Sequence, residues 1–257
     1  MAQAFELIPG RYGYTLERTG EREVAGRVAL RPSLQAADGS MRTAAVLMAV
    51  DMSCGMAGGL GVLPNWTVTA DADIHFVGPC LVGPLRVDAV GVRPGRTMSV
   101  VDFRCVDEGS GDQLVAVGTA NHGVLASDFE HRIASQPTGA RWEFARPDHP
   151  DDQSLEDYFE MTSSDGVTRL PLDLRTTNPW GIFHGGLHGL LVDAVATAAG
   201  VAVPRDVSLR YLNPVRTGPA TAVVASVIER AGDRVVRVEV RDGIDGRLAV
   251  IGHVVGR

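Results

Sequence analysis

Two aspartates stand where a charged residue is costly. Asp51 lies inside an apolar run from Ala44 to Leu63, and Asp193 inside another that ends at Gly200. A carboxylate in such surroundings is expensive unless it is paired or used. Ahead of Asp193 come a turn signal, Asn178-Pro179, and then His184-Gly185-Gly186. Two glycines in the first turn of a helix let another molecule approach the free backbone N–H groups there. Together these residues point to a place where negative charge develops beside an acid or base.

The elements that must position them follow from hydrophobic periodicity. Past the Asn178-Pro179 turn and the His184-Gly185-Gly186 entry, the chain reads to Gly200 as a helix that is apolar nearly all round, interrupted by His188 and Asp193. A helix without a polar face belongs inside a protein. A second such helix is predicted at about Met41–Gly58. Strands are predicted at Val24–Leu30, Thr67–Val77, Leu85–Val92, Thr97–Val106 and Gln113–Val124, with Gly- or Pro-rich turns between the later ones. Residues 127–152 are polar, carry three prolines and show no sustained period, so they read as a linker. A short helix near Leu155–Met161 follows. Further strands are expected at Val167–Leu174, Val207–Leu212, Ala220–Glu229, Arg234–Arg241 and Arg247–Val255.

The pattern repeats. Phe76-Val77-Gly78-Pro79 followed by Gly83-Pro84 matches Tyr211-Leu212-Asn213-Pro214 followed by Gly218-Pro219, all at an offset of 135. Leu114-Val115-Ala116-Val117-Gly118 matches Leu248-Ala249-Val250-Ile251-Gly252. Each copy places an aspartate in the apolar helix upstream. Two copies of strand, helix and four strands make a tandem duplication.

Bulk properties exclude several classes. The 257 residues suffice for one large domain or two modest ones. A net charge of -7 and no basic run argue against a nucleic-acid partner. All 24 basic residues are Arg, which removes Lys Schiff-base chemistry and a Lys-dependent phosphate loop. Three cysteines (Cys54, Cys80, Cys105) fit neither a disulfide framework nor a metal spacing. With no signal pattern at the start, the expected setting is cytoplasmic. The run Ala44–Leu63 has the length of a membrane span, but Asp51 and four glycines make it a buried core helix instead.

A long buried helix wrapped by antiparallel strands, led by N-x-x-G-x-x-H-G-G, resembles the hotdog-fold acyl-CoA thioesterases of the PaaI type. Asn178, Gly181, His184, Gly185, Gly186 and Asp193 carry that motif, with 15 positions from Asn178 to Asp193. The resemblance covers both halves. It implies an α+β double hotdog: residues 1–128 and 153–257 form an intrachain pseudo-dimer joined by a linker at 129–152. In that family the site lies between two units. One gives the Asn and the HGG turn, and the other gives a carboxylate with a Ser or Thr 18 positions later. The first half has Arg42-Thr43-Ala44 in place of His-Gly-Gly and Ala36 in place of Asn, yet keeps Asp51 and Thr69. In the second half Pro204 stands where Thr69 has its equivalent. The resemblance therefore implies one composite site, with Asn178, His184, Gly185 and Gly186 facing Asp51 and Thr69, while Asp193 faces a degenerate turn.

The implied reaction is hydrolysis of an acyl-CoA to a carboxylic acid and free CoA, with Asp51 as nucleophile or general base. No metal or other cofactor is implied, since CoA belongs to the substrate. Arg93, Arg96, Arg216 and Arg234 lie by loops and are candidates for gripping CoA phosphates. Oligomers of pseudo-dimers are plausible, because exposed sheet faces and edges invite pairing. Other readings stay open. A hotdog enoyl-CoA hydratase or dehydratase would need a His/Asp acid–base pair, and a non-catalytic acyl-CoA-binding protein would need no carboxylate chemistry. His184 and His188 at i, i+4 lack the intervening Glu of a zinc protease helix. Cys54 reads as core, and Asp71 and Asp73 as solvated strand residues.

Overall fold

The computed structural model describes residues 2–126, 136–144 and 152–257. Helix α1 (Ala2–Tyr12) precedes strands β1 (Tyr14–Arg18) and β2 (Glu23–Val28), then the long helix α2 (Thr43–Leu60). Four strands follow: β3 (Trp66–Phe76), β4 (Leu85–Pro94), β5 (Met98–Asp107) and β6 (Gln113–Leu125). A short strand β7 (Arg141–Glu143) and helix α3 (Leu155–Tyr158) lead to strands β8 (Thr162–Ser164) and β9 (Val167–Leu170). Helix α4 (Gly185–Ala198) is then followed by β10 (Pro204–Tyr211), β11 (Ala220–Arg230), β12 (Asp233–Asp242) and β13 (Leu248–Gly256).

The strands among the described residues join one 13-stranded sheet in the order β7-β1-β2-β4-β5-β6-β3-β10-β13-β12-β11-β9-β8. Every pairing in it is antiparallel. The order is nearly the same read outward from β3 or from β10. At the seam Asp73 pairs with Ser208, the residue 135 positions on, while Ala72–Leu209 and Ile74–Val207 exchange with each other under that offset. The seam thus carries a pseudo-twofold axis. Helix α2 packs on β2 to β6 and α4 on β9 and β11 to β13, and the two helices touch. Gly189 permits that contact, since a Cβ on it would lie 2.8 Å from the Leu47 Cβ. Although α2 is long and apolar enough to cross a bilayer, Ala44 to Val50, Met52 to Cys54 and Ala57 to Leu60 are buried inside the protein. Each Val, Leu or Met so buried contributes at most about 1.5–3 kcal/mol.

Most expected elements form within a residue or two of their predicted bounds, as hydrophobic periodicity allows. Several features differ. Helix α1 and strands β1 and β8 form where no element is predicted, and Ile8 and Tyr12 of α1 are fully buried. Most of 129–152 lies outside the described residues, but 141–143 within it form β7 on the edge of β1 rather than a plain linker. Asp71 and Asp73 are not simply solvated: Asp71 accepts from the Asn121 amide at 2.7 Å, and Asp73 pairs with Arg210 at 2.9 Å.

One repeated device holds the loops that follow β3 and β10. Asp107 accepts the backbone N–H groups of Leu81, Val82 and Gly83 at 2.7, 2.9 and 2.7 Å. Its counterpart, Asp242, accepts those of Arg216 and Thr217 at 2.8 and 2.9 Å, and the Thr217 hydroxyl. Burial pushes the Asp242 carboxyl up, but these hydrogen bonds outweigh it and hold the pKa at about 2. A carboxyl depressed by folding stabilises the protein above its unfolded pKa, and that contribution disappears as pH falls through the folded value. Asp242→Asn should therefore cost about 1–3 kcal/mol near neutrality, with the deficit shrinking between pH 4 and pH 2. Melting temperatures of both proteins across that range test it; a deficit that stays constant with pH contradicts the clamp.

Candidate active site

The lead-in to α4 is built by one carboxamide. Asn178 Oδ1 accepts from the N–H groups of Trp180 and Ile182 at 3.0 and 3.3 Å, and the Asn178 N–H donates to the Ile182 carbonyl at 2.8 Å. Gly181 closes this turn at φ 70°, a left-handed conformation that favours glycine. Asn178 is thus the organiser of its own loop, and its side chain lines the adjoining cavity.

His184 caps the helix. Its Nδ1 accepts from the Gly186 N–H at 3.1 Å, so the ring proton of the neutral form sits on Nε2. Burial lowers the His184 pKa, with Asp51 pulling in the opposite direction. Asp51 Oδ2 lies 3.8 Å from Nδ1, and a direct pair would require protonating the nitrogen that holds the cap. The shorter capping bond governs, and His184 is a neutral cap. The Gly185 N–H, first in the helix, has no acceptor among the described residues. It lies at the positive end of the helix dipole.

Asp51 comes from the middle of α2 and reaches this turn from the other half. Its Oδ1 accepts from the Thr69 hydroxyl at 2.8 Å. A β-bulge in the β3–β6 register falls between Thr69 and Asp71, a device that re-aims side chains. A Cβ on Gly185 would stand 2.9 and 3.0 Å from the two Asp51 oxygens. Carboxylate and glycine therefore meet face to face.

These groups line a cavity of about 390 Å³ between the two halves. Met52, Gly55, Met56 and Gly59 of α2 form one wall, with Val68 and Leu125 beside them. Phe183, His188, Tyr211 and Pro214 form the opposite wall. Trp66 and Trp180, one from each half, meet edge to face with ring centroids 4.6 Å apart. Of the candidate arginines only Arg216 lines this cavity. Arg96 is exposed in the β4–β5 turn, outside the lining. Arg234 is placed elsewhere, bound to Glu229 at 2.7 Å and the Ala199 carbonyl at 3.1 Å. Cys54 is fully buried core, and burial raises its thiol pKa.

Across the pseudo-dyad the equivalent place is filled. Arg42, the N-cap of α2, pairs with Asp193 at 3.2 Å and with Glu156 at 2.7 Å. Burial pushes the Asp193 carboxyl up more than Arg42 pulls it down. Tyr12 of α1 is buried within the field of the same three charges. Sequence reasoning found the degenerate turn but missed this ion pair, the tryptophan pair, and the Tyr211 and His188 contacts described below. The repeat alignment of Tyr211 with Phe76 was the available signal.

Comparison with known proteins adds the following. No family model matches the chain. A segment is 33% identical over 75 residues to a Haemophilus influenzae protein described as a candidate esterase, covering 26% of this chain and 49% of that one. The chain thus spans about half the length of the curated relative it matches. Among solved structures, a candidate thioesterase II from Thermobifida fusca superposes with a TM-score of 0.61 at 18% identity, over 98% of each chain. A 12:0-ACP thioesterase from Umbellularia californica gives 0.64 at 12% identity, over 92% of this chain and 94% of the other. The tesB protein of Mycobacterium avium subsp. paratuberculosis gives 0.59 at 15%, over 93% and 94%. What these full-length likenesses show is the fold: a large antiparallel sheet with few helices, of the hotdog-like kind seen in thioesterases.

Proposed function

We propose that this chain is an acyl-CoA thioesterase of the PaaI-like kind, built as a double hotdog with one live site per chain. The observation that carries the reading is the meeting of the Asp51 carboxylate with the free N–H end of α4 across the two halves. The palindromic strand order and the symmetric seam support residues 1–128 and 153–257 as the two units. In the reaction the thioester carbonyl oxygen accepts from the Gly185 N–H, and the helix dipole favours the charge that develops there. Asp51, oriented by Thr69, takes a proton from water as the oxygen adds to the carbonyl carbon. Collapse of the tetrahedral intermediate breaks the C–S bond, and the proton held by Asp51 passes to the departing thiolate. Direct attack by the carboxylate, followed by hydrolysis of the anhydride, uses the same geometry. The apolar wall of Met52, Met56, Val68 and Leu125 suits an acyl group, and Arg216 at the rim suits a CoA phosphate. The neutral capping state of His184 disfavours the hydratase reading, which needs it as Asp51's acid–base partner.

The test is a thiol-release screen across short, long, branched and aromatic acyl-CoAs, with and without chelator. Release of thiol from at least one, unchanged by chelation, is expected. Silence across the panel together with measurable acyl-CoA binding would overturn hydrolysis in favour of a binding protein.

A further inference from the structure

Two hydrogen-bond donors converge on one backbone oxygen behind the reactive turn. The Tyr211 hydroxyl donates to the Gly185 carbonyl at 3.1 Å, and His188 Nδ1 lies 3.2 Å from the same oxygen. A carbonyl can only accept, so the His188 ring proton sits on Nδ1. Burial holds this imidazole's pKa at about 4, and it therefore carries a single proton at neutral pH. The two rings also pack edge to face, with centroids 5.5 Å apart. Tyr211 ends β10, the strand that pairs with β3, and β3 carries Thr69.

The halves differ at both positions. Under the offset of 135 that aligns the strands, Tyr211 corresponds to Phe76, which has no hydroxyl. Counting back from the paired aspartates, His188 corresponds to Val46, which has no ring nitrogen. Both donors thus belong to the half whose glycine turn is intact. Neither is present in the half where Arg42-Thr43-Ala44 stands in place of His-Gly-Gly.

We infer that Tyr211 and His188 are positioning residues that lock the Gly185–Gly186 turn against the sheet seam, an inference that rests on the thioesterase reading. The Gly185 carbonyl and the Gly186 N–H belong to one conjugated peptide unit. Donors on the oxygen strengthen donation by that N–H, which binds His184 Nδ1. The cap, the first turn and the free Gly185 N–H are thereby fixed relative to β3, which carries Asp51's partner Thr69. Neither side chain needs to touch the reacting atoms.

The experiment uses Tyr211→Phe, His188→Leu, His188→Asn and the double Tyr211→Phe/His188→Leu, in the full chain. Two readouts are taken: hydrogen exchange of the Gly186 amide, and kcat with KM on the best thioester. Tyr211→Phe keeps the ring stacking and removes one donor. It should speed Gly186 exchange about tenfold and lower kcat about tenfold, with KM within twofold. The double should lose about a hundredfold in kcat. His188→Asn, whose amide can reach the same carbonyl, should recover most of what His188→Leu loses, which a merely space-filling role would not predict. Unchanged Gly186 exchange in the double, or faster exchange with unchanged kcat, overturns the inference. If the native protein hydrolyses no thioester, the functional reading fails by itself, and the exchange rates alone decide whether the turn is locked as described.

Discussion

Asp51→Asn should lower kcat/KM by about 10²–10⁴-fold, the usual cost of removing a positioned acid–base group, while the protein melts near its native temperature. The amide keeps the volume of the carboxyl group and can still accept from the Thr69 hydroxyl, whose bond to Asp51 spans 2.8 Å. What it loses is the ability to take a proton from water or to attack a carbonyl carbon. Asp193→Asn, at the matching place on α4, should leave kcat/KM within about threefold of native. Its carboxylate faces Arg42 rather than a glycine turn. Burial already raises the Asp193 pKa in spite of that arginine, so an amide there is inexpensive, and Arg42 keeps Glu156 at 2.7 Å. A change of about 1 kcal/mol would move the melting temperature only about 2–4 °C in a domain of this size. Measuring kcat/KM and melting curves for both variants separates chemistry from stability. A dead Asp193→Asn beside a near-native Asp51→Asn, both folded, would move the site to the other side of the pseudo-dyad.

The asymmetry behind that prediction was legible in the sequence because it lives in spacing. A carboxylate nine positions after the histidine of His184-Gly185-Gly186, and a threonine 18 positions after the other carboxylate, survive in the chain as plain offsets. The strands were legible for the same reason, since period-2 alternation and Gly-Pro turns are local signals. Helix α1 was not. Pro9 sits inside it, and a proline there removes a backbone bond at a cost of about 3 kcal/mol. Tertiary packing overrides that local signal: Ile8 and Tyr12 are fully buried. The Arg42–Asp193–Glu156 cluster joins residues from three separate elements, so nothing local announces it. Asp107 and Asp242 left even less trace, because their partners are mostly backbone N–H groups that any residue but proline supplies. Arg216 and Arg234 both looked like loop arginines. Only the fold puts one on the cavity rim and binds the other to the Ala199 carbonyl at the end of α4.

Gly185→Ala should cost most of the activity while leaving the protein folded. By helix propensity alone the change gains up to about 1 kcal/mol, and Gly185 has no left-handed backbone to strain. The obstacle is the facing carboxylate. The new Cβ would lie 2.9 Å from Asp51 Oδ1, 3.0 Å from Oδ2 and 3.3 Å from Cγ. Those distances are too short to hold, so the Asp51 side chain must swing or the start of α4 must retreat. Either movement breaks the alignment of base, water and oxyanion donor, and a displacement of about 1 Å at a reacting centre costs about 10²-fold. Gly186→Ala meets a softer neighbour. Its Cβ would approach the Met48 sulfur to 2.5 Å and Asp51 Oδ2 only to 3.3 Å, and a flexible thioether yields more readily than a carboxylate held by Thr69. Gly185→Ala is therefore expected to lose about 10²-fold or more in kcat with a melting temperature near native, and Gly186→Ala to lose less. Steady-state kinetics with thermal melts of both variants decide the matter: a folded Gly185→Ala with kcat within threefold of native would mean that Asp51 and the helix start do not work together.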